Sequence, residues 1–101
     1  MRVADEFNFI RSTKSFQHLK SIIDLVLKKP ELKEKPLSSL CEIVAKEKNI
    51  SMETVYMGIY RAFSTGIIKA NPKYPNINLD LKSKELITRL IDICEQEGRE
   101  F

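Results

Sequence analysis

The chain has 101 residues, of which 43% are apolar and 31% are charged, a composition typical of one soluble globular domain. Its net charge of +3 permits a nucleic-acid partner without requiring one, because binding depends on where the charges lie. No segment has the roughly 20 consecutive apolar residues of a membrane-spanning helix, and residues 1–10 lack the apolar core of a signal peptide. The sequence therefore predicts a single cytoplasmic domain, residues 1–101, with no membrane contact.

The residue types that carry catalysis or bind metals are not grouped in this sequence. His18 is the single histidine, and Cys41 and Cys94 lie in apolar segments without the spacing of a metal site. We expect both cysteines to be buried thiols and His18 to be a partly exposed packing residue. Neither a phosphate-binding glycine loop nor a pairing of nucleophile and base is present. The sequence thus predicts neither an enzyme nor a cofactor.

Apolar residues recur at helical spacing along most of the chain. Residues 1–14 combine apolar and charged residues, and we expect them to form an arm or a short helix that packs on the domain. The connector at 31–36 is charged, and the segment 67–80 contains two prolines and is expected to be a loop. Helices are predicted over Ser15–Lys29, Leu37–Lys48, Met52–Thr65 and Ser83–Glu97. The predicted fold is all-α, a compact bundle of about five to six helices.

Polar residues and glycines stand at the expected helix ends. Ser15 and Ser51 have side chains that accept a hydrogen bond from the first N–H groups of a helix. Asn49 tolerates the left-handed conformation that ends a helix, and Gly66 and Gly98 are favoured stops. These residues predict where each helix begins and ends.

The segment from Leu37 to Thr65 has the residue types and spacing of a helix-turn-helix. Ala45 is small, as two helices that cross steeply require, and Asn49 fits the turn between them. Ile50 is expected to fill the angle between the helices, and Val55 to anchor the second helix on the first. The predicted inner face of the second helix consists of Met52, Val55, Ile59, Ala62 and Phe63.

The opposite face of the second helix carries candidate DNA contacts. A recognition helix uses its exposed face to contact base edges in the major groove. Arg61 can bond guanine with two hydrogen bonds, and Thr54 can bond a base or phosphate or touch a thymine methyl group. Basic residues near this helix are candidate phosphate contacts. They are Arg11, Lys14, Lys46, Lys48, Lys69 and Lys73.

Several stretches resemble the C-terminal DNA-binding effector domain of the sporulation-initiation master response regulator family of Firmicutes. They are FQHLKSII at 16–23, VAKEKNIS at 44–51 and VYMGIYRAF at 55–63, and KELITRLI at 84–91 fits as well. The similarity spans about residues 11–96. It implies a stand-alone, all-helical domain of about six helices with a central helix-turn-helix, able to bind adjacent DNA sites in tandem.

By position, the resemblance implies DNA contacts from six side chains of the second helix. They are Glu53, Thr54, Tyr56, Met57, Tyr60 and Arg61. The recognition helix of that family carries several arginines, whereas this chain has Met57 and Tyr60 where the family has basic residues. We therefore expect a different DNA target and a lower affinity.

The sequence leaves several functions open. One is a small transcriptional regulator of a spore-forming bacterium, and another is an accessory factor for DNA recombination, such as an excisionase-like protein. The expected partners are double-stranded DNA, a second copy on tandem half-sites, and a recombinase or RNA polymerase. The alternative from another class is a protein-interaction module that kept the helix-turn-helix fold without DNA binding.

Overall fold

A computed structural model describes residues 1–69 and 71–101, and within these residues the chain forms helices and no β-strand. The α-helices are α1 (Lys14–Lys28), α2 (Leu37–Lys48), α3 (Met52–Gly66) and α4 (Ser83–Glu97). Two 3₁₀ turns, Val3–Glu6 and Pro30–Glu34, precede α1 and α2. The predicted all-helical class is confirmed. The expected count of five to six helices is wrong for the described residues, because the arm and the charged connector each form only a short 3₁₀ turn.

Helix α1 is central and packs most extensively against α3, with further contacts to α2 and α4. Its buried side chains follow the predicted apolar stripe from Phe16 to Val26. The prediction of Ser15 as the N-cap is wrong. Thr13 has the extended backbone of an N-cap, and its hydroxyl oxygen accepts a hydrogen bond from the Phe16 N–H at 3.2 Å. Helix α1 ends just before Pro30, as predicted.

A three-residue turn, Asn49 to Ser51, joins α2 to α3. Asn49 is left-handed, with φ 55° and ψ 47°, which confirms the prediction from its residue type. The N–H of Ile50 donates to the carbonyl of Ala45 at 3.0 Å, the hydrogen bond of a Schellman helix end. Ser51 is the predicted N-cap of α3, because its hydroxyl accepts a hydrogen bond from the Thr54 N–H at 3.1 Å. The turn is therefore fixed by local hydrogen bonds at both ends.

The inner faces of α2 and α3 differ in part from the predicted ones. Ala45 and Val55 are buried, as expected. Met52 and Ile50 were predicted to pack inside, and both predictions are wrong, since they are 42% and 37% exposed. The buried face of α3 begins only at Val55, so the residues before it lie outside the contact.

The two ends of the chain lie side by side. The N–H groups of Val3 and Ala4 donate to the carbonyls of the last two residues at 2.9 and 3.3 Å. Phe101 is fully buried, and its ring stacks on Phe16 with 5.7 Å between the ring centroids. The arm is thus ordered and packed, as predicted, whereas the burial of Phe101 was not foreseen.

The arm also crosses the last turn of α3 at Gly66. The Asn8 N–H donates to the Gly66 carbonyl at 2.8 Å, and a Cβ added at Gly66 would lie 2.0 Å from a ring atom of Phe9. The Phe9 ring is held by Phe16 and Phe101, whose centroids lie 5.5 and 5.7 Å away. Gly66 is the last residue of α3, one beyond the predicted end at Thr65, and without the positive φ of a left-handed stop. Its role is to let the arm approach closely.

The segment 67–80 contains no helix among its described residues, as predicted. Ile67 and Ile77 are buried and attach it to the core. No helix in the described part of the chain is long and apolar enough to cross a membrane.

Candidate nucleic-acid interface

Six exposed residues form what we call the outer face of α3, opposite its buried side. They are Glu53, Thr54, Met57, Tyr60, Arg61 and Ser64. Tyr56, the remaining predicted contact in this helix, is exposed at the margin of this face. Residues three and four apart are neighbours on a helix surface, so Met57 lies at the centre of the outer face. All six side chains that the resemblance implies as DNA contacts are therefore accessible on one helix.

The outer face is mainly apolar at its centre and carries few charges. Met57 is 47% and Tyr60 is 60% exposed, although large apolar and aromatic side chains are usually buried. Arg61 and Glu53 supply the only charges of this face, one of each sign. The face thus has little net charge of its own.

Two of the three hydroxyl groups of the outer face, those of Thr54 and Ser64, have partners within the helix. The Thr54 hydroxyl lies 2.7 Å from the Ser51 hydroxyl at the N-cap. The Ser64 hydroxyl donates to the Tyr60 carbonyl at 2.9 Å. Each hydroxyl keeps free acceptor capacity, but its direction is set by the helix.

Two lysines from other helices border the outer face on the side of α1. Lys48, at the end of α2, has its Nζ 3.3 Å from Nδ1 of His18, and Lys14 begins α1 one turn before His18. The His18 ring lies against α3, since a Cβ added at Gly58 would be 2.7 Å from its Cδ2 atom. Arg61 follows Gly58 by one turn of α3. We call Lys14, Lys48 and Arg61 the basic rim.

His18 is more buried than expected, with 9% of its surface exposed. Burial lowers the pKa of His18, and the positive charges of Lys48 and Lys14 lower it further. The expectation of a partly exposed histidine is therefore wrong, because α3 approaches α1 closely at Gly58. His18 is a neutral packing residue that holds the Lys48 side chain beside α3.

The members of the basic rim are free of ion pairs within residues 1–69 and 71–101. Lys69 is likewise exposed and belongs to none of these pairs. By contrast, Arg11 forms an ion pair with Asp5 at 2.8 Å. Lys46 lies 3.5 Å from Glu42, one turn earlier in α2. The predicted phosphate contacts thus divide into free and partnered side chains.

Lys73 belongs to a charge network around Glu6, which is 12% exposed. The Glu6 carboxylate accepts hydrogen bonds from Lys73 at 2.8 Å, from the Tyr74 hydroxyl at 2.7 Å and from Arg99. These three hydrogen bonds lower the pKa of Glu6 to about 2. Sequence analysis missed the network because its members lie far apart in the chain. Lys73 therefore ties the loop to the arm, and Glu6 in turn joins both to Arg99 near the C-terminus.

A groove lies between the arm and the C-terminal half of α3. It has a volume of about 410 Å³, and its walls include Ile10 and Thr13 on one side and Tyr60, Arg61 and Thr65 on the other. It continues the outer face beyond Arg61. No sequence signal could have located it, because the path of the arm depends on its contact with α3.

The cysteines are separate from the outer face and play no part in it. Cys41 and Cys94 are buried free thiols, as predicted, and burial raises the pKa of each to about 11. No group of three His, Cys, Asp or Glu side chains that could hold a metal ion occurs in the part of the chain that the structure describes.

Comparison of the chain with protein-family models, with curated proteins and with solved structures returned no match. The geometry of α2, α3 and the side chains around them is therefore the guide to function.

Proposed function

We propose that this protein binds double-stranded DNA, with α2 and α3 acting as a helix-turn-helix and α3 lying in the major groove. The observation that carries the proposal is the position of α3. A short, rigid turn and a close contact with α1 leave its whole outer face exposed beside the unpaired cations of the basic rim. The major groove is about 12 Å wide and admits one α-helix.

Lys14 and Lys48 of the basic rim give this surface the charge that the outer face lacks. Lys14 and Lys48 come from α1 and α2 and lie on one side of α3, where phosphates along one edge of the groove would lie. Such contacts fix the position of a protein on DNA, whereas side chains of the inserted helix contact the bases. Arg61 is then the side chain suited to guanine, through two hydrogen bonds.

The biological role that we propose is a small transcriptional regulator or an accessory factor in DNA recombination. The resemblance to the sporulation response regulator family supports the first of these. A second copy on an adjacent half-site would raise the affinity, because one protomer offers only a few phosphate contacts. RNA polymerase or a recombinase is the corresponding protein partner.

A protein-interaction module is the second candidate function. The observation that favours it is the apolar centre of the outer face, where Met57 and Tyr60 are exposed. Exposed apolar patches often mark protein-binding surfaces. In this case the basic rim would have no anionic partner.

Substitution of Arg61→Ala tests the proposal. Loss of a base-contacting arginine is expected to cost about 1–3 kcal/mol of binding free energy, measured by gel shift with genomic and random duplexes. Arg89→Ala is the matched control, because Arg89 lies on α4 beside the loop at 73–77 and its loss changes the net charge equally.

The helicity of both variants, measured by circular dichroism, should equal that of the unmodified protein. Equal weakening by the two substitutions would indicate a general charge effect and count against docking through α3. If the unmodified protein binds no duplex even at low salt, the protein-interaction module becomes the better account.

A further inference from the structure

We infer that α3 recognises thymine through its 5-methyl group, with Met57 as the central side chain that contacts it. The inference depends on the proposed DNA binding and specifies which base chemistry the outer face selects. The target would then contain thymines opposite the middle of α3, next to a guanine that faces Arg61.

The composition of the outer face is the first argument. The charged side chains of the outer face, Glu53 and Arg61, lie one turn before and one turn after Met57, and the Tyr60 hydroxyl stands at the far end of an apolar ring. The Thr54 hydroxyl is already bonded to Ser51 at 2.7 Å. The centre therefore offers apolar surface, and the thymine methyl is the apolar group that base pairs present in the major groove.

The position of Met57 is the second argument. It is 47% exposed, and its neighbours one turn away on the helix surface are Glu53, Thr54, Tyr60 and Arg61. Its unbranched thioether chain adapts to irregular apolar surfaces. The Thr54 methyl group and the Tyr60 ring extend the same apolar surface to either side.

The charge around the outer face indicates what covers it. A second copy docked face to face would place the rim cations of both copies in one interface, six positive charges against two Glu53 carboxylates, since a twofold contact uses the same patch on both partners. Like charges across an interface oppose association. Duplex DNA instead places anionic phosphates beside Lys14 and Lys48 while its groove covers Met57.

The experiment begins with duplexes that the full chain selects from a randomised library. Each thymine of a selected duplex is then replaced in turn by deoxyuridine, which lacks only the methyl group, and affinity is measured by fluorescence anisotropy. Burying one methyl group corresponds to about a fourfold change in affinity. We expect a loss of about that size at one or two thymines and none at the others.

Two variants assign the effect to a side chain. Met57→Ala should bind thymine and uracil duplexes equally. Met52→Ala is the matched control, because Met52 is the same residue on the same helix and is 42% exposed but lies away from the outer face. It should keep the full preference for thymine. Neither substitution removes a buried group, so both variants should fold.

Three results would overturn the inference while leaving DNA binding intact: selected duplexes without thymine, equal binding of uracil duplexes, or unchanged discrimination by Met57→Ala. Failure of the unmodified protein to bind any duplex would overturn the proposed function together with this inference. A dimer in sedimentation that Met57→Ala abolishes would show that a second copy covers the outer face, which also overturns it.

Discussion

Substitution of Gly66→Ala tests how the arm is fixed to α3. The new Cβ would lie 2.0, 2.3 and 2.7 Å from three ring atoms of Phe9, whereas carbon atoms in contact are about 3.5–4.0 Å apart. The Phe9 ring must therefore move by more than an ångström. Its neighbours Phe16 and Phe101 are fully buried or nearly so, and they leave little room for that movement.

The expected cost combines two opposing terms. Overpacking costs about 1–3 kcal/mol, and complete loss of a buried phenylalanine contact costs about 3–5 kcal/mol. Alanine gains at most about 1 kcal/mol over glycine within a helix. The free energy of unfolding should therefore fall by about 1–3 kcal/mol. Since 1 kcal/mol shifts the melting temperature of such a domain by about 4–8 °C, Tm should fall by about 5–20 °C.

The assay is thermal unfolding of four proteins: the unmodified chain, Gly66→Ala, Phe9→Ala and the double variant. Once Phe9 is removed, Gly66→Ala should become neutral or stabilising, because only its helix propensity remains. Gly98→Ala is a control, since Gly98 has φ 62° and open space around it. It should cost about 1–2 kcal/mol with or without Phe9. A loss at Gly66 that Phe9→Ala leaves unchanged would refute the proposed crossing of arm and helix.

Three further predictions concern the α2–α3 contact, acid stability and salt. Val55→Asp and Ala45→Glu should each abolish cooperative melting in circular dichroism, because they place an unpaired charge at a buried contact; a normal melt would show that the contact is misplaced. The pKa of Glu6 is lowered from 4.5 to about 2 in the folded protein. The ionised Glu6 therefore stabilises the fold fully above pH 4.5, and this contribution is lost as the pH falls from 4.5 towards 2. Glu6→Gln should therefore flatten the pH dependence of Tm in that interval, and an unchanged pH profile would contradict the network. If one protomer contacts about three to five phosphates, log Kd for duplex DNA should rise with log salt with a slope of about 3 to 4.5, and a slope near zero would exclude the basic rim as a phosphate contact.

Features set by neighbouring residues were predictable from the sequence. Asn49 and Ser51 act through hydrogen bonds within their own helix ends, so their residue types predicted the turn. The apolar stripe of α1 likewise followed from helical spacing. Ser15 was wrongly predicted as the N-cap of α1, because Thr13 is an equally good capping residue and packing decides at which of the two the helix begins.

Features that join distant parts of the chain were not predictable. The burial of Phe101 and the partners of Glu6 bring together residues from both ends, and no periodicity reports such contacts. The exposure of Met52 depends on where α2 crosses α3, and the burial of His18 depends on the close approach of α1 to α3 at Gly58. For the candidate interface, the sequence predicted the exposed side chains of α3 apart from Met52, and it indicated six basic residues near this helix, but not that three of them are engaged in ion pairs.

Amide chemical shifts of the isotopically labelled protein, followed by NMR during titration with duplex DNA at low salt, test the central claim most directly. We predict that the shift changes cluster in residues 51–65 and around Lys14 and Lys48, while the amide signals of α4 remain unchanged. In Arg61→Ala the same residues should shift, but at higher DNA concentration. Shifts concentrated on α4 or on the loop 71–80, or no shifts with excess duplex, would contradict the assignment of α3 as the DNA-binding helix.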